Sequence, residues 1–138
     1  MTVLVAVSRA HTRNRVLDMG IRLGEAFGRE VHIVHLIEGE GGSTDPSQIR
    51  EELREYVLAE NAVATVAVER VEPTLGRPAK QFGEKLLEVA TEIDASHIVV
   101  GHTPQGVLDD VTRGTTAMTV ADAAPVPVTV IPNIPEEH

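Results

Sequence analysis

Apolar residues fall along the chain in two alternating rhythms. Val3-Leu4-Val5-Ala6-Val7 is an unbroken apolar run of strand length, the pattern of a strand covered on both faces. From Thr12 to Phe27 the spacing changes to steps of three and four. Val16, Met19, Leu23 and Phe27 then share one helical face, and Gly28 stands where a helix commonly ends. A second strand is expected over 31–37. After the loop 38–44, Asp45-Pro46-Ser47-Gln48 has the form of a helix start, with Asp45 as N-cap, Pro46 in the first turn and Gln48 completing a capping-box-like pair. Ile49, Leu53, Tyr56 and Val57 are the buried stripe expected of that helix.

The alternation continues. Residues 64–71 read as a third strand and 73–78 as a turn. A third helix follows with Phe82, Leu86, Val89 or Ala90, and Ile93 on one face. His97 to Gly101 repeats the signature of a buried strand, 114–124 suits a short helix, and Val126 to Ile131 is a fifth strand. Strands and helices in strict alternation point to an α/β fold with a parallel sheet, right-handed crossovers and helices on both faces. In such a sheet ligands bind outside the carboxyl ends of the strands, where the strand order reverses, so the residues that matter follow β-strand ends.

Composition narrows the function classes. At 138 residues the chain suits a single domain, 1–138, and its hydrophobic fraction of 42% and charged fraction of 24% are those of a folded globular unit. Aromatics make up only 2%, namely Phe27, Phe82 and Tyr56, so base-stacking platforms of the single-strand nucleic-acid type are poorly supported. A net charge of -9 repels phosphate backbones and anionic lipid, which disfavours nucleic acid and membrane as partners. Cysteine is absent, removing disulfides and thiolate chemistry, and no leader or membrane-length apolar run is legible; a cytoplasmic location is the expectation.

Two segments are candidates for chemistry. One is Ser8 to His11, after the first strand. The other is the long stretch from Gly101 to Thr116, with three glycines, several hydroxyls and a helix start at its far end, an anion site in outline. A long surface loop capped by Thr115 is the alternative reading of the same residues. Asp109-Asp110 could suit a hard cation, but adjacent loop carboxylates are usually solvated, and no metal site is assigned. His32 and His35, three apart in a strand, face opposite ways. His11 and His102 could approach one another at the sheet edge, yet no catalytic residue is assigned. Arg113 suits a phosphate or a surface pair with Asp109 or Asp110.

Gly101, then Gly114-Thr115, then the closing 125–132 (PVPVTVIP) resembles the C-terminal signature of the universal stress protein superfamily, and the likeness extends to 3–8, 30–38, Gly76 and 93–100. The resemblance implies a Rossmann-like, three-layer α/β/α fold of the adenine nucleotide alpha hydrolase type, with a five-stranded parallel sheet in the order 3-2-1-4-5. It also implies a homodimer through Val126 to Ile131 and a stress-response module without turnover of its own. By the family's layout an adenine would rest among Ala6, Val7, Leu36 and Val100, the ribose near Ser8 and Gly76, and the phosphates near Gly101, Gly114, Thr115 and Thr116. The family's nucleotide-binding pattern is glycine, two residues, glycine, nine residues, glycine and Ser or Thr. Here Pro104 replaces the middle glycine and Ser8 stands where an acidic residue is common. The implied binding of ATP or AMP, with or without Mg, is correspondingly weak, since proline has no N–H to donate and serine lacks the carboxylate's charge. The alternative reading is a genuine ATP/AMP switch or slow ATPase.

Overall fold

The computed structural model describes residues 2–7, 13–38, 45–71, 78–101 and 116–132. They form β1 (Thr2–Val7), α1 (Arg13–Phe27), β2 (Glu30–Glu38), α2 (Pro46–Ala59), β3 (Thr65–Val71), α3 (Pro78–Glu92), β4 (Ala95–Gly101), α4 (Thr116–Ala123) and β5 (Val128–Ile131). The sheet runs β3-β2-β1-β4-β5 and every pairing is parallel, as expected.

Alternation of side chains along the strands divides the interior into two layers. On one face Val3, Val5, Val7, Val31, Ile33, Ile37, Val99 and Ile131 pack with Val16 and Leu17 of α1 and Ile49, Leu53 and Val57 of α2. On the other, Leu4, Ala6, Val34, Leu36, Val71, Ile98 and Val100 pack with Leu86, Val89 and Ala90 of α3 and Val120 of α4.

The buried face of α1 differs from the one read off its apolar spacing. Val16, Leu17, Gly20, Ile21 and Gly24 are buried, while Met19 and Phe27 are 37% and 49% exposed. The helix lies so close to the sheet that its contact line runs over two glycines, which carry no hydropathy signal. A Cβ at Gly20 would stand 2.3 Å from Cγ2 of Val5, and one at Gly24 would stand 2.3 Å from Cγ2 of Val31. In α2 the expected stripe holds, with Tyr56 partly buried and its hydroxyl donating to Asp18 of α1. Burial and the Asp18 carboxylate push the Tyr56 phenol well above its ordinary value.

The helix ends follow local chemistry. Asp45 caps α2, its carboxylate accepting from the Ser47 N–H at 3.0 Å, and Pro46 opens the helix. Gly28 and Asn61 close α1 and α2 in the left-handed conformation, at φ 66° and 55°. In each case the next residue's N–H reaches back to a carbonyl five residues earlier, Arg29 to Gly24 and Ala62 to Val57. The fifth strand begins at Val128 rather than Val126. Pro127 has no N–H for the ladder, and its carbonyl accepts from Ile98 N–H at 3.0 Å just before pairing starts.

His97 joins β4 to the edge strand: its Nε2 shares a 2.7 Å hydrogen bond with Thr129 Oγ1, and its ring lies 5.8 Å from that of Phe27. Burial holds its pKa below the ordinary 6.5, and burial does the same for His32, partly offset by the charge of Glu69. A depressed histidine pKa means that the unfolded chain binds protons the folded chain refuses. The stability is therefore fully present above about 6.5, declines as the pH falls below that value, and levels off once the pH has passed the folded pKa. His97→Gln, which keeps a hydrogen-bonding side chain without the titration, is expected to flatten this decline. Urea midpoints between about pH 7.5 and pH 5 measure it, and an unchanged slope in the variant would exclude His97 as its source.

Candidate functional site

All five strands end at the same edge, at Val7, Glu38, Val71, Gly101 and Ile131. The chain builds outward from β1 to β2 and β3, then returns to the other side of β1 for β4 and β5, so the order reverses between β1 and β4. α1 and α2 cover one face and α3 and α4 the other, so the helices that follow β1 and β4 lie on opposite sides of the sheet. In sheets of this kind the reversal of strand order is where a ligand crevice is expected.

The ladder register adds a step to this crevice. The last residue of β1, Val7, pairs with His35, and Ala6 pairs with Val100. β2 runs on for Leu36, Ile37 and Glu38, which pair with Glu69, Arg70 and Val71 of β3 on the far side. Among the described residues no strand pairs with the near side of this three-residue overhang, which stands roughly 10 Å above the tip of β1 at the usual rise per residue. Among the described residues, no strand takes the backbone N–H and C=O groups of the overhang that point toward β1.

The site residues expected from sequence divide as follows. Ala6, Leu36 and Val100 lie on the face covered by α3 and α4, at the carboxyl end of adjacent strands, and are 7%, 5% and 2% exposed. Val7 belongs to the opposite layer, with Ile37, so it does not join them. Consecutive strand residues face opposite ways, which separates Ala6 from Val7. Gly101 ends β4 and pairs with Ile131 of β5. Thr116 is the first residue of α4, whose start stands at the same edge because the helix leads from the end of β4 back to the beginning of β5. Ser8, Gly76, Gly114 and Thr115 lie outside the described residues, as do His11, His102, Pro104, Asp109, Asp110 and Arg113.

Three further residues stand at this end. Val71 is the last residue of its layer on β3 and is buried, a position that strand alternation alone would have marked. His35, 1% exposed, sits level with Val7. It is buried where His32, on the opposite face, is half-buried and bonded to Thr65. Phe82, in the second turn of α3, packs against the layer containing Ala6, Leu36 and Val100. Among the described residues no group of three or more His, Asp or Glu is placed to hold a metal ion.

Several cationic side chains of the described residues stand toward this end of the sheet, most of them paired. Arg13 and Arg15 occupy the first turn of α1, where Arg15 donates to the Pro132 carbonyl at 3.5 Å and Arg13 lies 3.7 Å from Glu52. Lys85 ties α3 to β3, 3.7 Å from Glu69 and 3.4 Å from Glu88. Burial pulls the Lys85 ammonium down, but the hydrogen bond to Glu88 and the charges of Glu69, Glu88 and Glu92 together hold its pKa above the ordinary value. The starts of α1, α3 and α4 all stand at this edge, and helix N-termini favour anions.

The sequence model of the universal stress protein family matches residues 1–132. No curated protein matches the chain. Among solved structures it is similar to a universal stress protein family member from Burkholderia pseudomallei, with 20% identity, 96% of each chain covered and a TM-score of 0.65. It is also similar to the universal stress protein of Archaeoglobus fulgidus in complex with dAMP, with 24% identity, 95% of this chain and 97% of that one covered, and a TM-score of 0.64. A universal stress protein solved in complex with cAMP has 16% identity, 95% and 96% coverage, and a TM-score of 0.68.

Proposed function

This chain belongs to the universal stress protein family, and we propose that it is a non-catalytic stress-response module that binds an adenine nucleotide weakly in the crevice between β1 and β4. The observation that carries this reading is the overhang of β2 beside the tip of β1. A strand side with no neighbouring strand offers N–H and C=O groups close together. Adenine presents the matching pair on one edge, an amino group that donates and a ring nitrogen that accepts. Guanine carries the opposite pattern at those two positions. In this reading Ala6, Leu36 and Val100 border the base, and by the family's layout Ser8 and Gly76 would serve the ribose and Gly101, Gly114, Thr115 and Thr116 the phosphates. Related universal stress proteins have been solved with dAMP and cAMP, which supports the same ligand class.

Pro104 and Ser8 set the strength. Pro104 removes an N–H donor and Ser8 offers a hydroxyl in place of a carboxylate, each at a cost of about 1 to 3 kcal/mol, or roughly ten- to a hundredfold in affinity. Calorimetric titration with ATP and with AMP, with and without Mg, is the test. Binding near 0.1 mM, on the order of -5.5 kcal/mol, that is lost in Gly114→Val is the expected result. No heat at millimolar nucleotide would sink the reading, and release of phosphate from ATP would replace it with a slow ATPase.

The module works as a cytoplasmic homodimer through the segment Val126 to Ile131. β5 is an edge strand, and Val130 is 41% exposed there, whereas Val126 and Val128 are partly buried against the α3 and α4 layer. Val130 is accordingly the valine of this segment offered to a partner, and sedimentation of Val130→Asp against the parent protein reads its contribution.

A further inference from the structure

We propose that Phe82 forms an aromatic wall of the base site, an inference that rests on the nucleotide reading above. α3 leads from the end of β3 to the start of β4, so its first turns stand at the carboxyl edge and its last turn at the opposite edge. The apolar stripe of the helix is Phe82, Leu86, Val89 and Ala90, continued by Ile93 just past its end, and Phe82 is the member nearest the carboxyl edge. It packs on the layer whose last strand residues are Ala6, Leu36, Val71 and Val100. Leu86, one turn further in, is 0% exposed, whereas Phe82 is only partly buried and keeps ring surface in reach of solvent.

The other aromatics of the chain are engaged elsewhere. Phe27 ends α1 at the amino edge, against His97, and Tyr56 bonds Asp18 between α1 and α2. Phe82 is thus the aromatic residue, among those described, at the carboxyl edge on the layer of Ala6, Leu36 and Val100. A purine ring at the edge of this layer would meet the exposed part of the Phe82 ring. Contact between a base and an aromatic side chain commonly changes affinity by tenfold or more, and it acts on the base alone, leaving the ribose and phosphates untouched.

The experiment compares the parent protein with Phe82→Leu and Phe82→Tyr, using AMP and ribose 5-phosphate as probes and thermal unfolding as a check on the fold. The leucine variant keeps an apolar side chain; the tyrosine variant keeps the ring. The proposal expects AMP affinity to fall about tenfold in Phe82→Leu, to persist in Phe82→Tyr, and ribose 5-phosphate to bind all three alike. A second readout is independent of affinity. With only two phenylalanines in the chain, a nuclear Overhauser contact from the adenine H2 proton to a phenylalanine ring is expected, and it should vanish in Phe82→Leu. Parent protein that binds AMP with no such contact, and equal affinity in Phe82→Leu, would overturn the wall while leaving the nucleotide site standing. Parent protein that binds no AMP overturns both.

Discussion

Gly20→Val is expected to destabilise the protein by about 3 kcal/mol, a large share of a small domain's stability, through overpacking at the tightest helix–sheet contact. A Cβ on residue 20 would stand 2.3 Å from Cγ2 and 3.1 Å from Cγ1 of Val5. Neither atom can give way easily. Val5 is 0% exposed, it is β-branched and so stiff at χ1, and its strand neighbours in register, Ile33 and Val99, are 0% exposed as well. The gain in helix propensity on replacing glycine, under about 1 kcal/mol, does not offset a shift of α1 away from the sheet. Chemical denaturation followed by circular dichroism measures the loss. Adding Val5→Ala to Gly20→Val should recover part of it, because the two side chains compete for one volume. A Gly20→Val protein as stable as the parent would show that α1 does not ride on this contact.

Leu86→Ala is expected to cost about 3 kcal/mol, within the range for deleting a fully buried leucine, and to weaken nucleotide binding secondarily by loosening α3. Leu86 is 0% exposed at the middle of the α3 stripe, between Phe82 on the crevice side and Val89 and Ala90 beyond. Its removal leaves a cavity beneath a helix that crosses from one edge of the sheet to the other. Leu58→Ala is the control: Leu58 is 73% exposed on α2, and a change within roughly 0.5 kcal/mol is expected of a surface substitution. If the two variants melt together, the α3 layer is not the structural half of the core that its burial implies.

The element order was legible because the chain changes rhythm so plainly. The run Val3 to Val7 reads as a covered strand by its length and β-branched residues, and Asp45-Pro46 and Gly28 punctuate helices by chemistry that acts within a few residues. The expected buried face of α1 was wrong for an equally physical reason. Hydropathy spacing weights Met19 and Phe27, whereas the sheet selects Gly20 and Gly24, whose virtue is having no side chain. At the site, Ala6, Leu36 and Val100 were named together with Val7 through the family resemblance, whose layout sets the base at the strand ends. That Val7 belongs to the other layer follows from alternation once β1 is known to be covered on both sides by different helices. The overhang of β2 could not be read at all, since it depends on how far β1 and β2 slide past each other.

Local order along the chain therefore settled which segments are strands and helices, where several of them stop, and, through family resemblance, the order of the sheet, because those features rest on interactions between near neighbours or on a shared ancestry of pattern. Tertiary structure alone decided which side of α1 meets the sheet, which side chains share a layer at the crevice, and that β2 stands above the tip of β1. These depend on close approach between segments far apart in sequence, and van der Waals contact, unlike hydropathy, has no representation in a single chain's pattern.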